Sequence, residues 1–157
     1  MENKITAEKA FEKFSDMVYR LAFARVKNKF DADDILQEVF LRYIKAADGV
    51  ENEEHAKFLL IRITINCSKS HFLSVRRRKT QPLDENYLCY MPVGDTLDAV
   101  LRLPLKYRTV VHLHYYCGYS VNEISEILSV KPSTIKSQLF RAREKLKIET
   151  EGALTDV

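Results

Sequence analysis

An all-α protein of two small helical domains is what this sequence predicts, and three observations carry that prediction. Glycine and proline number only four each in 157 residues, too few for a loop-rich all-β chain. Apolar residues recur three and four apart over long stretches on both sides of the chain's middle, the spacing of one helix face. Between those stretches, Thr80 to Gly94 holds Pro82 and Pro92, carries no Lys or Arg and shows no sustained apolar period, so it reads as a flexible linker. The expected division is a first domain over 1–79, a linker over 80–94 and a second domain over 95–150. Hydrophobic residues make up 46% of the chain, enough to give each domain a packed core.

The first half predicts three helices. One runs from about Thr6 to Lys27 with Phe14, Val18 and Leu21 as its inward stripe. A second starts near Asp31, a residue suited to capping a helix, carries the stripe Ile35, Leu36, Val39, Phe40 and Tyr43, and stops at Asp48-Gly49. After a polar, acidic loop from Asp48 to Glu54, the third runs from about Glu54 to Val75. Leu60, Ile63 and Cys67 lie on one side of it, and Arg62, Asn66 and Lys69, spaced four and three apart, on another.

The last third predicts four helices. A short one follows Asp95 and ends before Pro104. The next begins at Pro104, where proline suits the first helical position, and ends near Gly118. Ser120-Val121-Asn122-Glu123 is a capping box, in which the Ser hydroxyl and the Glu carboxylate each satisfy a backbone N–H at the start of a helix. That helix ends near Leu128. The turn Ser129-Val130-Lys131 leads to Pro132 and a final helix reaching about Ile148.

A short capped helix, a tight turn and a longer basic helix make a helix-turn-helix. Ile124, Ile127 and Leu128 face inward from the first. Ile135, Leu139, Ala142 and Leu146, spaced four, three and four apart, face inward from the second. The remaining faces carry Ser133, Thr134, Lys136, Ser137, Gln138, Arg141 and Lys145, donors and cations of the kind that read a major groove. An ordinary amphipathic helix with a solvated basic face has the same pattern. The capping box, the proline start and the charge bias together favour DNA.

Charge distribution points the same way. Twenty-five Lys and Arg against 22 Asp and Glu leave a net charge of only +3. Lys131 to Lys147 nevertheless holds six basic residues and one acidic residue, Glu144, and Arg76-Arg77-Arg78-Lys79 is a second basic block. Two local basic surfaces on a nearly neutral chain predict two contacts with polyanions. The three cysteines, Cys67, Cys89 and Cys117, are odd in number and widely spaced without a C-x-x-C, which argues against a disulfide framework or zinc site and fits a reducing cytoplasm. His112 and His114 are two apart on different helix faces. His114 and Cys117 share a face, but two ligands do not close a site. No metal and no cofactor are expected. No apolar h-region follows Met1 and no stretch approaches a membrane span, so the expectation is a cytoplasmic protein without direct membrane insertion. No nucleophile elbow, phosphate loop or zinc-hydrolase signature is present, and the chain is not expected to be an enzyme.

The stretch from Leu103 to Arg108, then Tyr119-Ser120-Val121-Asn122-Glu123-Ile124, then Thr134 to Leu146 resembles region 4 of the extracytoplasmic-function (ECF) sigma factors of bacterial RNA polymerase. Asp33-Asp34-Ile35-Leu36-Gln37-Glu38-Val39-Phe40-Leu41-Arg42 and Phe58 to Asn66 resemble their region 2. The resemblance spans nearly the whole chain, with both halves in the family's order. It departs at Leu59, where the family usually has Trp, at Ser129, often Gly, and at Gln138, often Arg.

The resemblance implies a region 2-like helical bundle and a region 4-like helix-turn-helix on a flexible linker, with core RNA polymerase and promoter DNA as partners. It also implies an anti-sigma factor, frequently membrane-bound. Asp33, Asp34, Gln37, Glu38, Phe40 and Leu41 would contact the polymerase. Acidic residues early in a helix also complement its dipole, so Asp33 and Asp34 fit either role, whereas Gln37 and Glu38 lie a turn further in. Arg62, Asn66, Lys69, Arg76, Arg77 and Arg78 would hold the minus-ten element, with the Asp48–Glu54 loop cradling an extruded base. Phe58 and Phe72 would either stack on bases or join the core. Lys136, Ser137, Gln138, Phe140 and Arg141, with Ser133 and Thr134 at the helix start, would read the minus-thirty-five element. Arg143, Lys145 and Lys147 would touch phosphate or solvent. The competing function is a free-standing helix-turn-helix regulator, which would need a dimer interface or ligand pocket in its other half.

Overall fold

The computed structural model describes residues 5–78 and 95–155, with side chains for 5–74 and 98–147. The expected linker, 80–94, lies outside the described residues. The chain divides into two compact units, Met1–Leu88 and Cys89–Val157.

The first unit is built from α1 (Ala7–Val26), α2 (Lys29–Ala46) and α3 (Glu53–Arg78). Thr6 caps α1, its hydroxyl accepting from the Lys9 N–H at 3.2 Å. Lys27 ends the helix in the left-handed region (φ 56°), and its N–H bonds the Phe23 carbonyl. The expected cap of α2 is corrected: Asn28, not Asp31, is the N-cap. Its extended backbone and its side-chain oxygen, 3.1 Å from the Asp31 N–H, put Asp31 inside the first turn. There Asp31 reaches across to His71 on α3, 3.1 Å away. Asn52 caps α3 by accepting from the His55 N–H at 2.8 Å.

Phe14, Val18 and Leu21 of α1 pack inward as their spacing requires, against Ile35, Val39 and Tyr43 of α2 and Ala56, Leu60, Ile61 and Ile65 of α3. Each fully buried Val, Leu or Ile contributes about 1.5–3 kcal/mol. Leu36 is only half-buried, and Ala32 takes a place in the core instead. The inward face of α3 is also corrected. Ile63 is half-buried, while the polar Thr64 and Ser68 are fully buried. Thr64 returns its hydroxyl to the Leu60 carbonyl (2.7 Å). Ser68 donates to the Ile65 carbonyl (2.7 Å) and accepts from Nε of the buried Arg25 (2.5 Å). A guanidinium taken out of water must be hydrogen-bonded, so α3 presents a hydroxyl where periodicity alone would place an apolar residue.

The second unit holds α4 (Asp95–Arg102), α5 (Leu105–Val111), α6 (Val121–Leu128) and α7 (Pro132–Thr155). Pro104 sits just outside α5 with extended ψ (151°) as its N-cap rather than inside the first turn, and its carbonyl accepts from Tyr107 and Arg108. The expected continuation to Gly118 is a different helix form: His112–Tyr116 is a π-turn, closed by Gly118 at φ 79°, a value glycine adopts without strain. The last helix continues past Ile148 to Thr155. Val100, Leu103, Tyr107, Val111 and Ala142 form one buried cluster, with Leu146 packed against it.

The Tyr43 hydroxyl is fully buried and has no hydrogen-bond partner among the described residues, and burial pushes its phenol above its ordinary pKa. Removing an unsatisfied buried group relieves its desolvation penalty. Tyr43→Phe is therefore expected to stabilise the protein by on the order of 1 kcal/mol, seen as a higher midpoint in thermal unfolding. A lower midpoint would show that the hydroxyl is satisfied.

Candidate nucleic-acid interface

The capping box that opens α6 is complete. The Ser120 hydroxyl accepts from the Glu123 N–H (3.2 Å), and the Ser120 N–H donates to the Glu123 carboxylate (3.0 Å). Ile124 and Ile127 are buried, and Leu128 half-buried. Ser129 then turns the chain in the left-handed region (φ 55°), a conformation that costs a residue with a Cβ and accounts for the glycine common at this place. The Ser125 hydroxyl donates to the Val130 carbonyl (2.5 Å) and braces the turn.

α7 buries Ile135, Leu139 and Ala142. A helix turns about 100° per residue, so this inward stripe fixes every other direction. Ser133, Ser137 and Phe140 point away from the core, and Phe140 is 63% exposed. Arg141 and Arg143, one residue either side of Ala142, leave on opposite flanks. On the Arg141 flank a shallow groove of about 250 Å³ is lined by Lys106 and Tyr107 of α5 and by Ser133, Thr134, Ser137 and Gln138. A broader groove is lined by His114, Val121, Lys136, Ser137, Leu139, Phe140 and Arg143, and Arg141 lines it as well. Gln138 is half-buried toward the first groove rather than standing on the outward ridge.

In the first unit, Arg62, Asn66 and Lys69 are exposed along one face of α3. The Arg62 guanidinium lies 5.9 Å from the Phe58 ring. Phe58 and Phe72 are both half-buried, and Phe72 takes the Arg25 guanidinium 6.0 Å from its ring centre. Arg76, Arg77 and Arg78 lie on the last turn of α3, beyond the described side chains. On α2, Asp34, Gln37, Glu38 and Leu41 are exposed and Asp33 is half-buried.

Comparison with known proteins agrees with both units. Residues 10–78 match the family described as Sigma-70 region 2, and residues 94–146 match Sigma-70, region 4. RNA polymerase sigma factor SigV of Bacillus subtilis (strain 168) is 30% identical over 139 residues, covering 83% of this chain and 82% of that protein. The chain belongs to the ECF sigma factors. ECF RNA polymerase sigma factor SigW of the same organism is 28% identical, with 85% of this chain and 83% of that protein covered. The fold is shared with the sigma factor RpoE of Bartonella quintana, solved in complex with the anti-sigma factor NepR (TM-score 0.65, 16% identity, 92% of this chain and 96% of that one). It is shared equally with CnrH, solved in complex with the cytosolic domain of CnrY (TM-score 0.65, 18% identity, 93% and 88%).

For an ECF sigma factor, one expected contact residue is misplaced. Phe40 is 7% exposed, with its ring 4.9 Å from Phe11 and 6.2 Å from Tyr43. It supports the outer face of α2 from beneath, and a partner would not reach it. Sequence periodicity also puts it on the inward stripe, and the structure buries it there. Ile44, 57% exposed beside Leu41, and Phe30, 59% exposed, are the apolar surface of α2 that motif matching passed over.

Lys106, Tyr107, His114 and Tyr115 were also passed over, because only folding brings them beside α7. Arg141 lines one groove with Tyr107, and its guanidinium chiefly holds that phenol below its ordinary pKa. Nε of Arg143 donates to the Tyr115 hydroxyl at 2.5 Å. Burial pulls the guanidinium of Arg108 below its ordinary pKa, and it donates to the Leu103 carbonyl at 2.8 Å, fastening the turn before α5. Among the described residues no group of three or more His, Cys, Asp or Glu is placed to hold a metal ion, and no helix is long and apolar enough to cross a membrane.

Ala142 is fully buried in the cluster under α7. Ala142→Leu adds volume where α7 meets α5, and overpacking of this kind costs about 1–3 kcal/mol. Denaturant unfolding is expected to show that loss. An unchanged midpoint would mean that the seam has room to spare.

Proposed function

We propose that this chain is the promoter-specificity subunit of a bacterial RNA polymerase, binding the core enzyme and directing initiation at particular promoters. The observation that supports this best is the pairing, in one chain and in family order, of a region 2 bundle over residues 10–78 with a region 4 helix-turn-helix over residues 94–146. A free-standing regulator would need a dimer interface or ligand pocket in its other half, and the region 2 match there counts against it.

In this proposal residues 1–79 dock on the polymerase and open the minus-ten element, 80–94 tether, and 95–150 bind the minus-thirty-five element. The docking face is the outer side of α2: Asp33, Asp34, Gln37 and Glu38 with Leu41, flanked by Ile44. Acidic and amide groups between exposed apolar side chains suit a partner that is basic and apolar in the same places. Glu38 is held by Arg42 at 2.9 Å on the free surface. An exposed pair is worth only about 0–1 kcal/mol, so Glu38 can exchange Arg42 for a partner's cation at little cost. Arg62, Asn66 and Lys69, continued by Arg76, Arg77 and Arg78, line the strand to be opened. Extruding a base costs a few kcal/mol, which contacts from these cations to phosphate offset. In α7 the outward Ser133, Lys136, Ser137 and Phe140 face base edges, and Phe140 offers an apolar contact for a thymine methyl. Thr134, Gln138 and Arg141 lie toward one flank, where backbone contacts set register.

Bond making and breaking belong to the polymerase, and the sigma subunit supplies binding energy alone. The site of action is the cytoplasm, with an anti-sigma factor as a further partner, as in the solved complex of RpoE with NepR.

Adding the purified protein to sigma-free core polymerase with a genomic template library is expected to give specific transcripts. Arg141→Ala is expected to lower them by roughly tenfold, about the loss of one hydrogen bond to a charged group. Sequence-specific DNA binding by the protein alone, with no transcripts from the mixture, would overturn the proposal in favour of a free-standing regulator.

A further inference from the structure

We infer that Tyr107 and Tyr115 are positioning residues for DNA recognition: from opposite ends of one helical segment they hold the Arg141 and Arg143 guanidiniums at the two rims of α7. The inference rests on the proposed function of the second unit and adds two residues to it that contact no base.

Arg141 and Arg143 are two apart, so they leave a helix about 200° apart. With Ala142 fully buried between them, the two side chains start on opposite flanks of the helix. A helix with its side chains is about 10–12 Å across, close to the ~12 Å width of the major groove. When the outward ridge of Ser137 and Phe140 meets base edges, the two flanks therefore face the two phosphate strands.

Each flank has its own tyrosine. Tyr107 stands in the first turn of α5, its ring buried in the cluster under α7, and it lines one groove together with Arg141, whose guanidinium chiefly pulls the phenol below its ordinary pKa. Lys106 opens onto the same groove. Tyr115 stands in the π-turn that follows α5. It accepts from Nε of Arg143 at 2.5 Å, with that guanidinium 5.6 Å from its ring centre. The insertion that makes a π-turn shifts the register of the residues after it, and here it brings Tyr115 to the Arg143 flank.

Arginine loses considerable rotamer freedom when it is fixed. A guanidinium already held by a phenol gives up less on meeting DNA, which is preorganisation. Tyr115 binds through Nε, so the two terminal nitrogens of Arg143 stay free to meet a phosphate.

The test is promoter affinity of the holoenzyme, reconstituted from core polymerase and the full chain, with Tyr107→Phe and Tyr115→Phe. Phenylalanine keeps the ring and removes only the hydroxyl. Each variant is expected to weaken binding by roughly threefold to tenfold, the equivalent of one hydrogen bond, with an unchanged thermal midpoint. The deciding readout is a double-mutant cycle. Tyr107→Phe should be silent in an Arg141→Ala background, and Tyr115→Phe silent in an Arg143→Ala background. Equal losses in both backgrounds would assign the tyrosines a merely structural role, and no loss in the wild-type background would remove them from recognition; either overturns the inference. A wild-type holoenzyme that binds no promoter would instead overturn the sigma-factor proposal, and this inference with it.

Discussion

The inward stripe of α7 is the constraint on which the second unit depends. Ile135, Leu139 and Ala142 are all at or below 2% exposure, and burying Ile135 and Leu139 alone contributes about 1.5–3 kcal/mol each. No surface charge on the helix competes with that, since exposed ion pairs contribute about 0–1 kcal/mol. Once the stripe is seated, helix geometry leaves no choice about the rest: Phe140 stands out, Arg141 and Arg143 go to either side, and Gln138 is drawn back toward α5. Stability and recognition are thus separated by angle. The residues that hold α7 in place are not the exposed ones, so the outward residues can vary at small cost to folding.

The first unit separates the same two tasks less cleanly. Its three helices share an apolar core, but that core also admits Arg25, Thr64 and Ser68. The Arg25–Ser68 bond joins α1 to α3, and the Phe72 ring lies against the same guanidinium. One turn along, His71 joins α3 to Asp31 of α2. Polar contacts of defined geometry therefore register the long helix α3 against both neighbours near the end that leads into Arg76, Arg77 and Arg78. An apolar seam tolerates sliding better than a hydrogen bond does, and register here decides where the exposed Arg62, Asn66 and Lys69 point.

Local rules made much of this legible in the sequence. The Ser120–Glu123 capping box depends on residues three apart, and it forms as its spacing requires. The stripes of α1 and α7 depend only on helical period, and they bury as expected. Failures came where a distant partner decides. Asp31 and Asn28 are both good caps, and the pull of His71 across to Asp31 is invisible along the chain. Ser68 looks like a surface residue until Arg25 is known to bond to it. Phe40 fits both an apolar stripe and a family motif, and at 7% exposure it lies in the core. Lys106, Tyr107 and Tyr115 are more than twenty-five residues from the arginines or helix they serve, so no window on the sequence could group them with α7.

The turn between α6 and α7 shows how a departure from family pattern is absorbed. Glycine would adopt the left-handed backbone at residue 129 freely, whereas a residue with a Cβ pays about 1–2 kcal/mol for it. Ser129 adopts it at φ 55°. Two bonds bracket the turn: the Val130 N–H to the Ser125 carbonyl at 3.2 Å, and the Ser125 hydroxyl to the Val130 carbonyl at 2.5 Å. At about 0.5–1.5 kcal/mol net for each, together they are of the size needed to offset the strain. They also restrict the unfolded alternatives less than the folded turn, since Ser125 and Val130 meet only when α6 is helical. Ser125 thereby links the formation of α6 to the angle at which α7 leaves it. A turn built on glycine would need no such link, so in this chain the aim of the recognition helix is set by a side chain of the helix before it.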